Sequence, residues 1–300
     1  MKISEVVKGE LMALVQAALW GLAPIIIVLS YLSLTPVASL ALSTFFAAIF
    51  FAIILTIKKK WKDFAVRGIF KDLFFAAFFI GILLYSFYFM ALKFTSPGNA
   101  SLIGLMEIFF SYLFFNVWKK EGFSPQHILG ALMMVLGAAV VIYPKTHGLG
   151  GLNKGDVLVF VSVIFAQFGN YFQKRLMRKI SSEAIMFGRS VITLPFVILL
   201  AYFMRETISV YQVQKAFWFL IMNGVVFLGV TKLLWLASIH RISVTKSAAL
   251  SSVAPAFTLV YAYLFLGQIP TIWQIFAFIP FCAGLVLLTR KSDDRVLAMT

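Results

Sequence analysis

Ten of the eleven acidic residues in this chain sit in tails, loops or the first turns of apolar runs: Glu5, Glu10, Asp63, Asp72, Glu121, Asp156, Glu183, Glu206, Asp293 and Asp294. The eleventh, Glu107, stands at the middle of the run from Pro97 to Trp118. At ~1.5 Å per residue that run is long enough to cross a bilayer as a helix. A carboxylate at such a depth costs on the order of 2.5 to 3.5 kcal/mol even on lenient insertion scales, so it turns toward protein or a watery cavity rather than lipid. It can then serve as a ligand for a cation or ammonium group, or as a protonatable coupling group. A structural ion pair is the plainer alternative.

The partner for such a pair is Lys232, within another apolar run, and burial of both charges is less costly if they neutralise each other. A substrate carrying both charges can instead sit between them, its carboxylate on Lys232 and its ammonium near Glu107. Arg189 lies about two turns inside its run, where a long side chain can snorkel to the interface, and snorkelling or a structural role is expected. Trp20, Tyr85, Tyr88 and Trp235 lie several residues from the nearest run ends, away from the interfacial belt where such rings collect. Their faces can hold an apolar ring or a cation in a cavity, or simply pack. Gln16, Gln167, Asn170 and Asn223 suit interhelical hydrogen bonds or substrate contact. The expected substrate-binding set is Glu107, Lys232, Trp20, Tyr85, Tyr88, Trp235, Gln16 and Asn170. Pro24, Pro195, Pro255 and Pro280 interrupt runs and are expected to kink them, as static bends or as gating points.

Other chemistries find poor material. The single cysteine, Cys282, lies in the last apolar run, and His127, His147 and His240 have no metal-ligand spacing, so neither a metal nor any cofactor is expected. Gly224 to Lys232 lacks the Gly-Lys-Ser/Thr order of a phosphate loop. An intramembrane enzyme acting on lipid or peptide would need paired acids, a Ser-Lys or histidine constellation, or metal ligands, and is the weaker alternative. An ion channel would more naturally use rings of charge.

These residues need a membrane scaffold to hold them. Of the 300 residues 62% are hydrophobic and only 12% charged, with a mean hydropathy of +0.97, far from the soluble balance. The apolar runs are continuous and helix-length, which excludes the short alternating segments of a β-barrel. Ten spans are expected, at about residues 9–30, 36–57, 72–93, 98–118, 125–143, 155–173, 183–204, 216–239, 245–267 and 271–289. The first, after Lys2 and Lys8, is too long for a signal-peptide core. With the N-terminus inside, nineteen Lys and Arg fall in inner segments and five in outer ones, with Arg189 and Lys232 inside spans. The positive-inside rule therefore places both termini in the cytoplasm and the protein in the cell (inner) membrane, and the net charge of +15 sets topology rather than nucleic-acid binding.

The glycine-bearing loop from Tyr143 to Asp156 divides the spans five and five, at about residues 1–146 and 147–300. Five is odd, so the halves cross in opposite senses and form an inverted repeat, a transporter architecture. Sliding the chain by 148 residues sets Gly81 on Gly229, Ala100 on Ala248, Leu102 on Leu250 and Phe109 on Phe257. It also aligns Ala100-x-x-x-Gly104 with Ala248-x-x-x-Ser252, a small-residue spacing that suits close packing of spans four and nine.

Ala18-Leu19-Trp20-Gly21, Glu121 with Gln126 and Gly130, Val253-Ala254-Pro255, Leu266-Gly267-Gln268 and Gln274 resemble the EamA-type transporters of the drug/metabolite transporter superfamily. The resemblance covers the whole chain. It implies an all-α polytopic membrane protein of ten transmembrane helices in two inverted five-helix repeats, with a central cavity, alternating access and, commonly, export of amino acids or related metabolites. Two positions depart from the family's pattern: its usual Gly-Glu reads Gly267-Gln268, and Glu107 stands where proline or an apolar residue is more usual. The expected partners are a small-molecule substrate, the lipid bilayer and protons as a coupling ion, with no nucleic acid; the sequence leaves substrate, direction, coupling and oligomeric state open.

Overall fold

In a bilayer each backbone N–H and C=O must be paired within its own segment, so long apolar runs fold as helices. A computed structural model describes residues 4–119, 125–146, 153–242, 247 and 250–289, and among these there is no strand. Spans one to three are Glu5–Ser30, Pro36–Ile57 and Phe70–Ala91; spans six to eight are Lys154–Leu176, Ser182–Phe203 and Val210–Ile239. Spans five and ten are Pro125–Thr146 and Ile272–Thr289. Span four comes as two helices, Pro97–Gly104 and Met106–Lys119, and the described part of span nine ends in Ala254–Leu266. Glu121, Lys120, Lys246, Ala248, the glycines at 148–151 and residues 290–300 lie outside the described residues.

Local chemistry sets the boundaries. Span eight begins at Val210, six residues before the expected start, because Ser209 and Gln212 form a reciprocal capping box. Span two starts at Pro36, with the Thr35 hydroxyl accepting from Ala38 N–H. Pro24, Pro195 and Pro280 lie inside helices as expected. Pro255 does not: it opens Ala254–Leu266 in the first helical turn, where its missing N–H is no loss.

Contacts group the chain into two compact units, each drawing on both sequence halves. The first comprises Met1–Leu22, Thr95–Phe160 and Leu234–Thr300. Within it span five packs along span ten, with Gly137 against the Phe281 ring and Gly284 against Gly130 and Met134. Ala254–Leu266 packs on Pro97–Gly104 and on span one. A Cβ on Gly21 would lie 2.7 Å from Ala254 O and 2.8 Å from Phe257 Cβ, so only glycine allows this approach. The small-residue expectation holds for spans four and nine as packed partners but not for its contact: a Cβ on Gly104 would meet nothing, and Gly98, against Leu259 and Gln274, takes that role.

The second unit comprises Ala23–Phe94 and Val161–Leu233. Span two lies against spans seven and eight, and span seven against span three. Phe75 and Phe79 of span three stack on Phe172 and Phe168 of span six at centroid distances of 4.9 and 5.2 Å. At one end, Lys58 and Lys60 reach Glu183 at 2.5 and 3.1 Å, Arg175 meets buried Asp72 at 3.4 Å, and Ser181 N–H donates to Asp63 at 2.9 Å.

Irregular backbone recurs at corresponding places. Ala77–Leu84 in span three and Met222–Val230 in span eight are π-helical, and the 148-residue slide carries the first onto residues 225–232. The turn at Leu105 in span four is carried onto Val253, where turn residues 252–253 precede Ala254–Leu266. Neither kind of irregularity is an accident of one half.

Candidate functional site

Glu107 does not stand mid-helix, as the unbroken apolar run suggests. The helix stops at Gly104 and turns at Leu105, whose N–H bonds back to Leu102 O at 3.0 Å, and a new helix starts at Met106. Glu107 falls in the first turn of that second helix and its side chain is exposed. An anion at a helix N-terminus is stabilised by the helix dipole, typically by ~0.3 to 1 kcal/mol, which helps offset the cost of its depth. Discontinuous helices with termini near mid-span are where secondary transporters bind substrates and coupling ions. Gly104, read for packing, is the sequence signal that this break was available, since glycine is the weakest helix former apart from proline.

The rest of the first unit's candidates gather on spans one, eight and nine. Gln16 is buried and its Oε1 accepts from the Ser251 hydroxyl at 2.9 Å, so it ties spans one and nine together just before the turn at 252–253. Trp20 and Trp235 are half-buried. One turn into Ala254–Leu266, Thr258 Oγ1 lies 2.9 Å from Gly21 O and 3.0 Å from Ser101 Oγ, joining spans one, four and nine through a single hydroxyl.

A second polar cluster, not expected from the sequence, lies in the same unit. Asp156, fully buried at the start of span six, accepts from the Thr95 hydroxyl and from Asn99 Nδ2 at 3.4 Å. Asn99 Oδ1 in turn accepts from Gln274 Nε2 at 2.7 Å. Asp156 stands in the first turn of span six, as expected, but its burial and its partners were not read from the sequence. The signal for the cluster was a pair of amides, Asn99 and Gln274, each in the first turn of its helix in spans four and ten.

In the second unit the structure brings Tyr85 together with Arg189. The guanidinium lies 5.8 Å from the ring centroid, and its Nη1 donates to Gln173 Oε1 at 3.3 Å. Arg189 is 5% exposed, and its side chain lies among spans three, six and seven, against an amide and a ring. Tyr85 is buried, while Tyr88, Asn170 and Lys232 are half-buried. Gln167 and Asn223 are buried as well, and Asn223, at the start of the π-helical stretch of span eight, has neither amide atom paired. Glu107 belongs to the first unit and Lys232 to the second, so the expected pair is internal to neither.

Comparison with known proteins gives this layout a family. The profile of the EamA-like transporter family matches residues 7–143 and again 153–290. Two proteins of Archaeoglobus fulgidus, each described as an uncharacterized transporter, are similar: one is 24% identical over 221 residues, covering 71% of this chain and 73% of the relative. The other is 28% identical over 188 residues, covering 59% and 63%. A solved crystal structure 18% identical in sequence shares the fold, with a TM-score of 0.66 over 94% of this chain and 98% of that one. Ten helices, paired irregularities in two halves and a double profile match make one statement: the chain belongs to the EamA-like transporter family, as a multi-pass membrane transporter of ten helices in two inverted five-helix repeats.

Proposed function

We propose that the protein is a secondary transporter, an exporter or exchanger, of a small amphiphilic metabolite such as an amino acid or related zwitterion, working by alternating access between repeats that divide near residue 146. The observation that carries this reading is the helix interruption at Leu105, which sets the exposed carboxylate of Glu107 on a half-helix terminus midway through span four. An ammonium group is the natural ligand for it, since a charge-assisted contact of this kind contributes about 1.5 to 3 kcal/mol. Gln16, Trp20 and Trp235 are the first unit's candidates for substrate contact, and Lys232, Tyr85, Tyr88 and Asn170 are the second unit's. The protein is placed in the cell membrane with both termini cytoplasmic, in keeping with the nineteen-to-five charge bias.

Proteoliposomes loaded with a panel of amino acids and amines test this directly. Counterflow of at least one zwitterion is expected; a protein that moves none of the panel in either direction contradicts the proposed class. Running the same flux with and without a pH gradient decides the role of protons. Gradient-driven accumulation lost in Glu107→Gln makes Glu107 the coupling group, and gradient-independent exchange makes it a substrate ligand only.

A further inference from the structure

We propose that Arg189, with Gln173 and Tyr85, forms a binding site for the carboxylate of a small organic anion inside the second unit. This rests on the reading above, that the protein moves small organic solutes, and it adds to that reading's Tyr85 a charged residue, Arg189, that the reading does not use.

Arg189 carries a charge that its neighbours do not balance. A guanidinium stays protonated in any protein environment, and Arg189 keeps only 5% of its surface exposed, about two turns inside span seven. Of its five N–H donors one is directed at a neutral amide oxygen, Gln173 Oε1, while the Tyr85 ring offers a face at 5.8 Å. Neither neutralises it. Among the described residues no carboxylate lies within ion-pair distance of Arg189, and the acids of its own unit are placed elsewhere. Glu183 is held by Lys58 and Lys60, Asp72 by Arg175, and Asp63 by the Ser181 N–H, while Glu206 lies beyond the far end of span seven. A buried cation lacking an anion is strongly unfavourable, so a structural arginine would be expected to have an acid beside it. An anion arriving from outside supplies what the fold does not.

The surroundings suit a carboxylate in particular. The planar fork of arginine matches two oxygens in one plane, and one arginine balances one negative charge; a doubly charged phosphate would leave charge over, and chloride would leave the fork unmatched. One turn along the same face of span seven, Thr193 Oγ1 is buried and without a hydrogen-bond partner, so it can donate to a second oxygen. Thr193 abuts Gly81, and Gly81 lies in the π-helical stretch of span three; such stretches are frequent at functional sites.

The test is thermal unfolding of the purified full-length protein in detergent, at matched ionic strength, with sodium lactate, acetate or propionate. The corresponding amides, sodium chloride and sodium phosphate are the controls. At least one carboxylate is expected to raise the melting temperature of the wild type while its amide does not. Arg189→Gln is expected to melt no lower than the wild type in chloride, since it removes an uncompensated charge, and to lose apparent affinity for that carboxylate roughly 10- to 100-fold. Arg189→Lys should retain part of the response. The proposal is overturned if no carboxylate stabilises the wild type, if chloride or phosphate does so equally, or if Arg189→Gln still responds. A variant that melts well below the wild type while the wild type ignores carboxylates would assign Arg189 a structural role instead. Binding without any flux in proteoliposomes would sink the transporter reading and leave this site standing; flux without carboxylate stabilisation would do the reverse.

Discussion

At the scale of single residues, depth was legible and partnership was not. Glu107 stood out because one acid among eleven lies far from every run end, and no tertiary information is needed for that. Arg189 two turns into span seven and Asp156 in the first turn of span six stand where a polar side chain can equally face the interface or fold inward. Which happens depends on residues of other helices, Gln173 and Tyr85 for one, Thr95 and Asn99 for the other. Asn99 shares its amide between Asp156 and Gln274, so these side chains act as a unit. Asp156→Ala and Gln274→Ala should each destabilise the protein by about 1 to 3 kcal/mol, by leaving a buried partner unpaired. The double variant should lose less than the sum, with a coupling of at least ~0.5 kcal/mol in a double-mutant cycle read by denaturation in detergent. Additive losses would mean that the cluster does not work as one network.

Element boundaries followed closely from the apolar runs, because run length, caps and prolines are local properties. Discontinuities did not, because an apolar run looks the same whether or not one turn within it is broken. Pro255 illustrates the ambiguity: the same residue reads as a mid-span kink in the sequence and is a favourable first-turn proline once the turn at 252–253 is known. Two substitutions test the elements. Gly104→Ala has open space for its methyl group and favours helix across the break. It should leave stability unchanged or raise it by up to ~1 kcal/mol while lowering flux. Full flux in Gly104→Ala would show that the interruption of span four is dispensable. Gly21→Ala, by contrast, drives a methyl group to 2.7 Å from Ala254 O and should cost about 1 to 3 kcal/mol, read as a lower melting temperature.

For the molecule as a whole, the odd number of spans in each half carried most of the information, since it forces opposite orientation before any residue match is considered. The two compact units were not legible, because each takes corresponding spans from both halves, three with eight in one and four with nine in the other. Nothing local marks that exchange. The proposed orientation is testable with single cysteines in a Cys282→Ser background. Lys62→Cys and Arg178→Cys should react with an impermeant maleimide only from the cytoplasmic side, and Thr207→Cys only from outside; the reverse pattern would invert the topology. The most direct test of the account is substrate flux through Glu107→Gln in proteoliposomes, measured beside wild type at equal reconstituted amounts and with equal thermal stability. The account predicts a loss of roughly tenfold or more, the size of one charge-assisted contact. Flux at the wild-type rate and with the wild-type substrate preference would contradict it.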